Sequence, residues 1–133
     1  MSYQAKVPDK VRKDLKKLSK DIRPAKDIEL LGRMYTFSNP IEVKKFILTH
    51  DYLINPLFEV HKHIREIFGE SVETCLEIHR DPEEDFEGLF IVVKTNLSLS
   101  QSLELLDKFD EEWWLDVDYE IRKTLEVDIE NML

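Results

Sequence analysis

VETCLEIHRDPEEDFEGLFIVVKT, residues 72–95, is the stretch in which the spacing of apolar side chains changes from the helical period to a period of two. In an extended chain Val72, Thr74, Leu76 and Ile78 face one way and Glu73, Cys75, Glu77 and His79 the other, which describes a strand with one wetted face. Residues 80–88 form a polar, acidic connection opened by Asp81-Pro82. Residues 89–95 are then apolar on both faces, as expected of a central strand. The two segments should pair as a hairpin.

Downstream, Ser98 or Ser100 can cap a helix bearing Leu103, Leu106, Phe109 and Trp113. Leu125, Val127 and Ile129 then alternate with Glu126, Asp128 and Glu130 in a last strand. A strand-helix-strand connection within one sheet is right-handed and nearly always parallel, so this strand is expected beside residues 89–95 and parallel to them. The C-terminal half therefore reads β-β-α-β around a three-stranded mixed sheet.

Upstream the period is helical. After Asn55-Pro56, the apolar positions Leu57, Val60, Ile64, Ile67 and Phe68 share a face, and Gly69 supplies a left-handed stop. Asn39-Pro40 opens a shorter helix carrying Ile41, Val43, Phe46 and Ile47. Ile28, Leu31 and Tyr35, with Met34 and Phe37, predict another helix ending near Ser38 and Asn39. Val7, Val11, Leu15, Leu18 and Ile22 form one stripe of a first helix that stops before Pro24, with lysines and Arg12 around the rest. The expected architecture is a single α+β domain over 1–133, with four N-terminal helices packed on the sheet. It divides into a basic amphipathic helix at 1–26, a helical region at 27–69 and an acidic β-β-α-β region at 70–133.

Charge follows the same division. Residues 1–26 hold nine Lys or Arg against three Asp, a balance of +6, whereas residues 70–133 hold five against nineteen acids, a balance of −14. A chain so polarised can lay its basic arm on its own acidic body, associate head to tail, or offer the arm to an anionic partner. The longest apolar run, residues 89–93, falls far short of the roughly 20 residues a bilayer helix needs, so no membrane association is expected. Met1 is followed by Ser2, Tyr3, Gln4 and a lysine-rich stretch without an apolar signal region, making the cytoplasm the expected location. The lone Cys75 excludes an internal disulfide and any Cys-rich metal site.

No catalytic, cofactor or metal site is expected. His61 and His63 are two apart on a helix, roughly 200° round the axis from each other, which is poor geometry for a shared ion. Asp81, Glu83 and Asp85 have the odd-numbered spacing of a calcium loop, but Phe86 and Val92 stand where it requires glycine and a bidentate carboxylate. Cys75 and His79 share a strand face about 13 Å apart, too far for a nucleophile and its base. Three glycines, Gly32, Gly69 and Gly88, cannot write a phosphate-binding loop. The lysine-rich first helix lacks interleaved aromatics to stack bases, and the rest of the chain repels a polyanion, which argues against nucleic acid. The least ordinary stretch is residues 107–118, DKFDEEWWLDVD, with six carboxylates around two tryptophans. From it Asp110, Glu111, Glu112 and Trp114 form the candidate partner surface; Trp113 continues the apolar stripe and is expected in the core, Trp114 at a rim.

Residues 59–115, with Ile64 to Gly69, Arg80-Asp-Pro-Glu83, residues 90–95 and residues 109–114, resemble a family of small uncharacterised microbial α+β proteins, a resemblance that implies no activity. The element order is also similar to that of the minimal nucleotidyltransferases of toxin-antitoxin pairs. Those enzymes have a Gly-Ser turn where Gly69-Glu70 stands here, and two acidic metal ligands on the next strand, whereas residues 89–93 carry no carboxylate. The expected function is that of a non-catalytic intracellular protein-protein interaction module, its partner another protein or a second copy of this chain. The alternatives are a diverged nucleotidyltransferase-like enzyme or toxin-antitoxin component using Glu77, Glu83 or Asp128, and an acidic nucleic-acid mimic.

Overall fold

Backbone hydrogen-bonding groups must find partners, and tracing where they go explains each element in turn. The computed structural model describes residues 25–132, so the basic amphipathic helix expected at 1–26 lies, but for its last two positions, outside the described residues. Helix α1 covers residues 25–34, with Ile28 and Leu31 buried. Periodicity predicts that it continues to Ser38, but it stops at Met34, and Thr36–Phe37 form a short strand, β1. Tertiary partners account for the difference. The Tyr35 hydroxyl donates to the Leu57 carbonyl (2.6 Å), Thr74 Oγ1 donates to the Met34 carbonyl (3.1 Å), and the Ser38 N–H donates to the Leu76 carbonyl (2.9 Å). Together with parallel pairing of Thr36 with Cys75 and Phe37 with Leu76, these replace the helical bonds the segment gives up.

Helix α2, Pro40–Thr49, begins as its sequence dictates: the Asn39 side chain accepts the Glu42 N–H, and Pro40 sits where a missing N–H costs nothing. A 3-10 turn, Asp51–Leu53, leads into α3, Ile54–Phe68. The pair Asn55-Pro56, which should precede this helix, falls inside the first turn of α3, which has no side-chain cap, whereas Gly69 ends the helix at φ 96° as expected. One face of α3 buries Leu57, Val60, His61, Ile64 and Phe68.

Strands β2, Glu73–Asp81, and β3, Phe86–Thr95, form the expected antiparallel hairpin. Its connection is shorter than the predicted 80–88, because Arg80 and Glu87 pair across the ladder, Nε donating to Oε2 at 2.6 Å. The turn is closed by Asp81, whose carboxylate accepts the N–H groups of Glu83 and Glu84, and by Asp85 at φ 52°. Helix α4, Leu99–Glu112, starts with a reciprocal cap between Ser98 and Gln101. A 3-10 turn, Trp114–Asp116, and a single helical turn, α5 (Tyr119–Arg122), precede β4, Leu125–Asn131, which runs parallel to β3 as expected.

The protein is thus α+β, and among the described residues its mixed sheet has four strands in the order β1-β2-β3-β4, not the expected three. The helices lie on one sheet face, and the core is Leu31, Tyr35, Ile47, Leu57, Ile64, Leu76, Leu89, Ile91, Val93, Phe109 and Leu125. Two details of α4 depart from prediction. Ser102 takes the buried position and Leu103, about 100° round the axis, is 48% exposed. The helix ends at Glu112 and Trp113 leaves helical geometry at φ −147°, so the following 3-10 turn carries Trp114 inward to 8% exposure while Trp113 stays half-buried. Extrapolating a helix through both tryptophans predicts the reverse. Among the described residues no helix is long and apolar enough to cross a membrane.

Candidate functional site

Strand alternation sends every second side chain of β2, β3 and β4 to the sheet face opposite the helices. The ladder register sorts that face into rows: Glu73, Lys94 and Glu130; Cys75, Val92 and Asp128; Glu77, Phe90 and Glu126. Its middle is apolar, with Cys75 and Val92 buried and Phe90 half-buried, and the ring of His79 is stacked on Phe90 at 3.8 Å. Around this centre stand five carboxylates and one lysine, Lys94. Glu73, Glu126, Asp128 and Glu130 are exposed, and Glu77 lies 3.4 Å from the His79 ring. Neighbouring rows are about 7 Å apart along a strand and neighbouring strands about 4.8 Å apart, so the carboxylates are laid out over a surface and do not gather at a point.

A cleft of about 350 Å³ opens at one border of this face, lined by Phe86, Phe90, Asp110, Trp114, Leu115 and the start of β4. Here the residues expected as a partner surface divide. Asp110 and Trp114 line the cleft, while Glu111 and Glu112 are exposed on the helix, Glu112 3.9 Å from Lys108. Burial, reinforced by the neighbouring Asp107 carboxylate, raises the pKa of Asp110 above the usual carboxylate range. The cations at the cleft are already engaged: Arg122 Nε donates to the Val117 carbonyl at 2.8 Å, and Lys123 lies 2.6 Å from Glu120.

The remaining candidates stay apart. Asp81 spends its carboxylate on the turn, and Glu83 sits in that turn, remote from Glu77 and Asp128 on the open face. His61 is buried edge-on to Tyr35, whereas His63 stacks on Trp113 at 4.1 Å between Glu59 and Glu66. Burial first, then the Arg65 charge, pushes the His61 pKa below its ordinary value, against a hydrogen bond to the Met34 carbonyl that raises it. His50 stacks on Phe46, its Nδ1 donating to the Phe46 carbonyl at 2.9 Å. Among the described residues no three His, Cys, Asp or Glu side chains converge to hold a metal ion. Sequence reasoning placed the partner surface on α4 and passed over the sheet face, although alternate carboxylates in two separate strands were its signal. No protein-family model matches this chain, and neither the curated proteins nor the solved structures contain a significant match to it.

Proposed function

We propose that this protein is a non-catalytic protein-protein interaction module whose open sheet face receives a cationic, amphipathic segment of a partner. The observation that carries the reading is the face itself: an apolar centre of Cys75, Val92 and Phe90, ringed by Glu73, Glu77, Glu126, Asp128 and Glu130 with Lys94 the one cation in the three rows. An incoming segment with alternating lysines and apolar side chains would bury its apolar atoms on the centre and set its ammonium groups among the carboxylates. The cleft at Asp110 and Trp114 extends the same surface around the edge of β4.

The test uses a synthetic lysine-leucine amphipathic peptide titrated into the isotopically labelled full chain. Saturable amide shifts confined to β2, β3 and β4 are expected. They should weaken with salt as screening shortens the reach of exposed charges to below about 10 Å, and vanish when Glu77→Lys, Glu126→Lys and Asp128→Lys are combined. Shifts elsewhere, or binding unchanged by the reversals, would sink the reading.

One observation favours a second reading, an acidic nucleic-acid mimic. Glu126, Asp128 and Glu130 stand in line along β4, spaced about 7 Å apart like charges on a backbone. Under it, neutralising these three to Gln abolishes peptide binding while neutralising Glu73 and Glu77 leaves it intact; equal losses from both sets favour the two-dimensional docking face.

A further inference from the structure

We propose that the cleft at the border of the open sheet face is an anchor site for one lysine of the partner, its aliphatic stem laid on Phe86 and Phe90 and its ammonium set against Asp110 and Glu126. The proposal rests on the docking reading above for the source of the lysine and adds the place that receives it. Gly88 builds the cleft. Glycine inside a strand offers no side chain to pack and marks a close approach. A Cβ at position 88 would come within 2.8 Å of the Phe86 ring and 3.2 Å of the Thr124 carbonyl oxygen, so the ring occupies the space a larger residue would take. Phe86, Gly88 and Phe90 share one side of β3, and the two rings line the same cleft. Phe86 and Leu115, 42% and 58% exposed, keep this apolar wall within reach of solvent.

The charges at the cleft select a cation. Lys123 is held by Glu120 and the Arg122 Nε by the Val117 carbonyl, whereas the side chains of Asp110 and Glu126 have no ion pair or hydrogen bond among the described residues. Asp107, three residues earlier on α4, adds like charge to the Asp110 carboxylate, which burial already penalises. An anionic ligand would bring a further like charge, and an uncharged apolar one would leave Asp110 desolvated and unpaired. An ammonium group answers both, pairing with the carboxylate while the faces of the Phe86 and Phe90 rings attract the cation. A cleft of about 350 Å³ lies at the low end of ligand pockets, a size suited to one side chain. Lysine suits it better than arginine: its four-carbon stem covers apolar surface while a compact head turns to a single carboxylate, without the planar fork that asks for a bidentate partner.

The experiment titrates n-butylammonium, and separately n-butanol, into the isotopically labelled full chain and follows the Phe86 ring, the Trp114 indole and the Asp110 carboxylate carbon. Butylammonium should shift all three saturably, n-butanol should bind at least about tenfold more weakly, and Asp110→Asn should erase that preference. Gly88→Ala displaces the Phe86 ring without touching a charge and should weaken the amine and the alcohol alike. Asp110→Asn should also lower the affinity of the lysine-leucine peptide. Equal binding of amine and alcohol, or amine binding unchanged by both substitutions, overturns the proposal. Butylammonium seated in the cleft while peptide affinity is indifferent to Asp110→Asn gives the site to a free amine and overturns the lysine assignment. If the peptide binds the sheet face and the cleft stays silent, this proposal alone fails; if the peptide binds nowhere, the docking reading fails and the partner lysine with it.

Discussion

Val92 and Val93 are adjacent, of one residue type and nearly equally buried, yet they face opposite sides of β3. Val93 belongs with Leu76, Leu89, Ile91 and Leu125 beneath the helices, whereas Val92 sits with Cys75 among carboxylates and outside the core cluster. Low exposure therefore occurs in two settings in this sheet. On one side the strand belongs to the apolar core beneath the helices; on the other, Val92 lies outside that core, in a row with Cys75 and Asp128. The first kind of burial holds the fold, and the second belongs to the face proposed here for docking.

The largest effect separating the two sides is expected from Leu76→Ala, which should cost about 2–5 kcal/mol in denaturant unfolding because it empties a site closed on every side. The sharpest comparison is the pair Val93→Thr and Val92→Thr, measured at high salt so that exposed charges are screened. Val93→Thr buries a hydroxyl with no ready partner and should cost about 1–3 kcal/mol, while Val92→Thr should stay within roughly 0.5 kcal/mol. Equal costs would mean that the carboxylate face is sealed as tightly as the core.

His61 tests the covered side by pH. Its native pKa is held below the unfolded value of about 6.5, so the unfolded chain takes up the proton first on acidification. This contribution is constant above that pH, and stability falls as pH drops below it until the native imidazole itself protonates. His61→Phe, which retains an edge contact for the Tyr35 ring, should flatten the slope between pH ~6.5 and the onset of carboxylate titration. The smallest effect belongs to Asp110, at the border of the two sides. Its raised pKa means that its ionised form is disfavoured in the native state, so its contribution is lost as pH rises through the native value. Asp110→Asn should stabilise by about a few tenths of a kcal/mol at neutral pH, solvent screening keeping it small, and by nothing at low pH.

Much of this was legible from residue order. The period of two in residues 72–78 and 125–129 set both strands and their neighbours, since a hairpin and a right-handed crossover leave few alternatives. Strand β1 was not legible, because two residues carry no period and Tyr35 and Phe37 continue a helical stripe equally well; only the distant partners Leu57, Thr74 and Leu76 decide it. The tryptophans were misplaced for a related reason, a helix end that a stripe analysis cannot detect. The acidic face was half legible. Each strand showed its wetted side, but which carboxylates become neighbours depends on register, and Phe90 and Lys94 were hidden in a run that reads as core.

Among the described residues, β4 is the last strand of the sheet. An identical strand adding there in register would stack Glu126, Asp128 and Glu130 against their own copies, a ladder of like charges that opposes fibre growth at neutral pH. The same carboxylates that border the proposed docking face would therefore also guard the protein against polymerising through its last strand.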